Sequence, residues 1–199
     1  MGTQGQTHLV ERLEVRFALP EAGWIRIHVA GLKQGGGAIC CTHLADPFEE
    51  MLAWLEAIAQ GSDLATWVVV DEGATNLLTF VNKRFLGSMP TLVVHRIGWG
   101  ETLEIPCNGR EIVQAFYCAF RTLVENPHYD AAEWEWSGDW RMCDNSLYSD
   151  FLSEDEEEAV RRSRPFDGSI LASLRSSFIE DWLDGGGDSE VELPLTKIS

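Results

Sequence analysis

Apolar and polar residues alternate one by one at the start of the chain, and a period of two marks β-strands. In residues 11–17 Leu13, Val15 and Phe17 fall on one side, and Arg12, Glu14 and Arg16 on the other. Residues 20–23 supply a turn, and residues 24–29 alternate again with Ile25, Ile27 and Val29 inward. Gly35, Gly36 and Gly37 read as a flexible hairpin tip, after which residues 38–44 return as a third strand. The period then lengthens to that of a helix. Asp46 caps, Pro47 takes the first helical position and Glu49 stands three residues after the cap. Phe48, Met51, Leu52, Leu55, Ile58 and Ala59 form the apolar stripe, and Gly61 stops the run.

Residues 65–71 and 76–82 predict a hairpin turning at 72–75, and residues 91–97 and 101–106 a second one turning at 98–100. Asn108 and Glu111 form a capping box that opens a second helix, with Ile112, Val113, Phe116, Phe120, Leu123 and Val124 as its stripe. Asn126 and Pro127 end it. The order is three strands, helix, four strands, helix, which predicts an α+β fold. Its expected form is an antiparallel meander sheet of about seven strands, covered on one face by two amphipathic helices. Residues 1–127 make this core domain, and residues 128–184 an acidic, aromatic-rich, partly helical C-terminal extension packing on the core. Residues 185–199, released by Gly185, Gly186 and Gly187, make a flexible tail. Within the extension one helix is capped by Ser153 and runs to Arg162. Another spans residues 169–183, with Ile170, Leu171, Leu174, Phe178 and Trp182 on one face.

Charge narrows the functional classes. The 199 residues hold 32 acids and 15 Lys and Arg, a formal net charge of −17. Residues 125–199 alone hold 19 acids against six bases. Such a chain repels nucleic acid phosphates and anionic lipid, so no direct nucleic acid contact and no membrane contact are expected, and it favours a basic protein partner. No stretch has the apolar core of a signal peptide or the length of a membrane span, which makes the expected location cytoplasmic. Five cysteines at positions 40, 41, 107, 118 and 143 show no metal spacing, and read as small buried hydrophobes in a reducing compartment.

Catalytic signatures are lacking. There is no GxSxG, HExxH, P-loop or strand-to-helix GxGxxG, and the triple glycine lies between strands, away from any helix N-terminus that would hold a phosphate. Cys41 and His43 share a strand face, and His28 and His95 also lie in strands, but nothing supplies an orienting third group. The acids at 144, 150 and 154–158 lack calcium-loop spacing and read as a solvated face. No cofactor is expected.

The stretch from Glu133 to Trp140 is more informative. Trp134 and Trp136 alternate with Glu133 and Glu135, as on an edge strand with an aromatic face, and the rings either complete the core or stay exposed as interface anchors. The second alternative defines a partner-binding set: Trp134, Trp136, Trp140, Asp144, Tyr148, Asp150, Glu154, Asp155, Glu156 and Glu157.

Trp24-Ile-Arg-Ile, the segment from Cys41 to Phe48 with its Asp-Pro helix entry, the Leu-rich helix ending in Gly and the long hairpin region together resemble a group of small uncharacterised bacterial proteins. Some of these are similar to cytosolic immunity proteins of polymorphic toxin systems. The resemblance covers residues 11–125 and implies no catalytic residues. With the charge, it leads to a non-catalytic binding protein, an immunity or inhibitor protein that blocks a basic toxin or nuclease domain. The alternatives are a structural or regulatory subunit of a bacterial complex with a solubilising acidic tail, and an enzyme with an unrecognised site.

Overall fold

A computed structural model describes residues 13–31, 35–42, 47–71, 74–82, 89–97, 100–134 and 168–185. The alternating segments become β1 (Leu13–Phe17), β2 (Trp24–Gly31) and β3 (Gly35–Thr42), an antiparallel sheet in that order. The later hairpins become β4 (Leu64–Asp71), β5 (Ala74–Val81), β6 (Thr91–Ile97) and β7 (Glu101–Pro106), a second antiparallel meander. The fold is α+β, but the expected single seven-stranded sheet is two sheets of three and four strands. β3 comes alongside β4 without a ladder between them. The link between these strands is a helix, not a tight turn that would set a register. The indoles of Trp54 and Trp67 stack at 5.8 Å, donating to the carbonyls of Ala65 and Pro47 at 3.2 and 2.9 Å.

The triple glycine is a correction of the same kind. Gly35, Gly36 and Gly37 belong to β3 and pair with Gly31, Ala30 and Val29. A Cβ on Gly36 would lie 2.8 Å from the Cβ of Ala30 and 3.0 Å from the Val29 carbonyl oxygen. Glycine here permits close approach of two strands, a use it shares with turns and which composition alone does not separate.

Helix α1 (Phe48–Ala59) buries Phe48, Met51, Leu52, Trp54, Leu55 and Ile58, and Gly61 follows it at φ +89°. Its N-cap is Pro47, with no side-chain hydrogen bond, and Asp46 lies outside the described residues. Helix α2 (Gly109–Val124) opens on the expected capping box. The Asn108 side chain accepts from the Glu111 N–H and the Glu111 carboxylate from the Asn108 N–H, each at 2.8 Å. All six expected apolar positions of α2 are buried, and Tyr117 joins them. The helices pack on each other, α1 against β4 and α2 against β1, so both sheets close on one core. Aromatic rings hold its centre. Phe48 stacks on Phe120 at 5.4 Å, and Phe116 meets Trp54 and Trp67 edge-on at 5.2 and 6.2 Å.

The chain continues into a short helical turn α3 (Ala131–Trp134), and after the segment 135–167 into α4 (Gly168–Ser173) and α5 (Ser177–Asp184). The single helix expected over 169–183 is thus broken. Ser176 is extended at φ −120° and ψ 105°, and its hydroxyl accepts from the Ile179 N–H at 3.1 Å, so it caps a new helix. The break re-aims the stripe: Leu171 and Ile179 are buried, whereas Ile170 and Phe178 are exposed. Residues 168–185 are seated across α1 and α2. The Ser176 hydroxyl donates to Glu56 at 2.6 Å and the Tyr117 hydroxyl to Glu180 at 2.8 Å. Arg121 donates to the Leu174 carbonyl at 2.9 Å, and Arg110 lies 5.5 Å over the Trp182 ring. The helix expected from Ser153 and the tail beyond Gly185 lie outside the described residues.

Candidate functional site

Trp134 is the one member of the expected partner-binding set within the described residues, and it is not an exposed anchor. It ends the helical turn α3 with no solvent exposure and meets Phe48 edge-on at 5.9 Å. The expected edge strand through Glu133 and Trp134 is helical instead, because Asp130 starts a turn there, its carboxylate accepting from the Ala132 N–H at 2.9 Å. Trp136, Trp140, Asp144, Tyr148, Asp150, Glu154, Asp155, Glu156 and Glu157 lie outside the described residues.

The described surface offers a different site, and the contrast between the two sheets locates it. The outward side of the three-stranded sheet carries Glu14, Arg16, Arg26 and His28, all exposed, which is an ordinary solvated face. On β4, β5 and β6 of the four-stranded sheet the outward residues are apolar or threonine apart from His95, while β7 adds the exposed Glu104. Leu64, Val68 and Val70 of β4 are 66%, 39% and 53% exposed, and Ile97 of β6 is 46% exposed. The strand register sets Val81, Thr79, Leu77 and Thr75 of β5 beside the first of these, and then Val93 and His95 of β6. An antiparallel sheet with one face on the core usually turns polar side chains to water on the other. Here β-branched and aliphatic side chains face water instead.

β4 is also the edge of its sheet. The Asn82 N–H donates to the Asp63 carbonyl at 2.8 Å, so Asp63 and then every second residue of β4 point their backbone groups at β5. By alternation, Leu64, Thr66 and Val68 point their N–H and C=O groups away from the sheet. Those groups border a groove of about 370 Å³ between β4 and α1. Ala53 and Ala57 line it on the α1 side, the almost wholly buried Trp54 and Trp67 lie beneath it, and the exposed Glu50 also lines it. β4 itself carries no Lys, Pro or bulge to blunt its edge, and β3 comes alongside it without pairing. Among the described residues of 47–82 the charged side chains are all acidic. Glu49, Glu50 and Asp63 are exposed.

No protein-family model, curated protein or solved structure matches the chain.

Other chemistry-bearing residues are dispersed. His28 faces solvent on β2, His95 Nδ1 lies 2.9 Å from the Thr102 hydroxyl, and His43 is outside the described residues. Cys41 is wholly buried. Among the described residues no group of three His, Cys, Asp or Glu is placed to hold a metal ion, and no helix is long and apolar enough to cross a membrane. Burial pushes the Cys107 thiol up to about 12, an effect that a backbone hydrogen bond with Leu92 partly offsets and the nearby Glu111 adds to. At pH 8 that leaves Cys107 with almost no thiolate, the reactive form. Treatment of the folded protein with iodoacetamide at pH 8, followed by peptide mapping, is therefore expected to leave Cys107 unmodified while the exposed Cys118 on α2 takes label. Equal labelling of the two would contradict this burial.

Two signals in the sequence point to β4 and the groove. The run Trp67-Val68-Val69-Val70 is apolar at consecutive positions, so it has no polar face to give to water. The charge of residues 44–82 is hidden when the first 124 residues are averaged, because their bases cluster elsewhere.

Proposed function

We propose that the protein is a non-catalytic, cytoplasmic binding protein of bacterial origin, an immunity-type inhibitor that blocks a basic toxin or nuclease domain. The observation that carries this reading is the apolar outer face of the four-stranded sheet on an otherwise strongly acidic chain. Contiguous exposed apolar surface on a soluble chain marks an interaction site, and its cost in solubility is offset by charge elsewhere. Acidic surroundings speed encounter with a basic protein, while aliphatic side chains that lose water on contact hold the complex. The acidic extension, with Asp144, Asp150, Glu154, Asp155, Glu156 and Glu157, adds to the same steering field. Blocking of a toxin by occlusion needs no catalytic group on the inhibitor.

The reading is tested by expressing the full chain with an affinity tag in its native host and identifying what co-purifies in stoichiometric amounts. A basic protein is expected, toxic when expressed alone and harmless when expressed with this chain. A monodisperse chain that captures nothing, or a captured protein whose toxicity is unchanged by co-expression, would overturn it.

A further inference from the structure

The groove, the outward-pointing backbone groups of Leu64, Thr66 and Val68 that border it, and the exposed Glu50 and Asp63 meet at a single place, and together they specify a kind of ligand. We infer that β4 accepts an extended segment of a partner as an additional antiparallel or parallel strand, seated in the groove against α1, and that this segment is flanked by Lys or Arg. The inference rests on the binding reading above and names the recognition mode at that site.

Each part of the geometry has a consequence. The outward N–H and C=O groups of Leu64, Thr66 and Val68 offer main-chain hydrogen bonds, the source of affinity in strand addition. Ala53 and Ala57 leave room beside the strand and, with Leu64 and Val68, give the incoming segment an apolar lining for alternate side chains. Leu64 and Val68 extend that apolar surface onto the outer face. Glu50 and Asp63 lie at the rim and at the entrance of the strand, where they meet the ends of a short segment. Charge decides between occupants. A second copy of this chain would bring its own Glu50 and Asp63 against the same two acids. Like charges set opposite each other across a contact oppose it, whereas Lys or Arg at the flanks of a foreign strand is attracted.

The test uses the full-length, isotopically labelled protein and two synthetic eight-residue probes of alternating Thr and Val. One probe carries Lys at both ends (KTVTVTVK) and the other Glu (ETVTVTVE), each titrated while backbone amide resonances are followed. The expected result is saturable movement of the Leu64, Thr66 and Val68 amides with the Lys probe, and binding at least about tenfold weaker with the Glu probe. Thr66→Pro removes one outward N–H without touching the ladder to β5, and should abolish the response. Should that variant not fold, the double change of the exposed Glu50→Lys and Asp63→Lys leaves the backbone alone and should invert the preference between probes. The inference is overturned by no saturable shift of these amides, by shifts confined to other strands, by equal response to both probes, or by shifts that follow protein concentration alone, which would mark a second copy. The probes are independent of any native partner. Failure here with a captured, neutralised toxin would move the interface elsewhere on a binding protein, whereas failure of that capture would remove the binding reading itself.

Discussion

Replacing Leu55 by Asp is expected to cost about 4 kcal/mol or more, or to unfold the chain, because it leaves an unpaired carboxylate where no solvent reaches. Leu55 lies at the middle of α1 with no exposed surface, in the same core cluster as Phe116 and Trp67. Among the described residues no Lys or Arg is buried to pair with the new charge. The carboxyl would take up a proton at neutral pH in preference to staying charged, so the loss should be larger at pH 8 than at pH 5. Urea melts at the two pH values measure both effects. A midpoint within experimental error of wild type at pH 8 would mean that α1 does not cover the core.

Trp134→Ala should destabilise the protein by about 3–5 kcal/mol, the usual range for truncating a buried aromatic. Trp134 is wholly buried against Phe48, and the chain around it is anchored by the Gly23 N–H donating to the Glu133 carbonyl at 2.7 Å. The substitution therefore removes the ring that packs the start of the C-terminal extension against Phe48 of α1. It discriminates between the two roles that sequence leaves open for this ring. A core role lowers the unfolding free energy and leaves the lifetime of a partner complex unchanged at temperatures where both proteins are folded. An exposed anchor would shorten that lifetime with little change in stability.

Legibility of the fold follows how local each cause is. The capping box at Asn108 and Glu111, the six buried positions of α2 and the limits of β6 and β7 are all written in neighbouring residues, and the structure reproduces them. The two errors in the sheets concern partners distant in sequence. β3 and β4 are joined through α1 and not through a turn, so whether they share a ladder depends on how that helix packs, which neighbouring residues do not record. Whether a triple glycine turns or pairs depends on Ala30 and Val29 lying opposite Gly36 and Gly37. The 169–183 segment shows the converse, since Ser176 is a strong cap but lies inside an apparently continuous stripe, and the period hid the break. For the site, the aromatic and acidic density after residue 133 is the louder signal in the sequence, and that of β4 is the quieter one of an apolar run without a polar face. Trp134 illustrates the limit, as an aromatic beside carboxylates reads the same whether its ring is turned inward or outward.

Binding of the co-purified basic protein, followed by stopped-flow fluorescence at two ionic strengths, bears most directly on the proposed function. Association with the wild-type chain is expected to slow steeply as salt rises while dissociation changes little, because exposed charges act on encounter and are screened. Reversal of Glu154, Asp155, Glu156 and Glu157 to Lys should slow association at low salt and flatten its salt dependence. Association that is independent of salt in the wild type and unchanged in the reversed variant would contradict a protein whose acidity guides a basic partner to its surface.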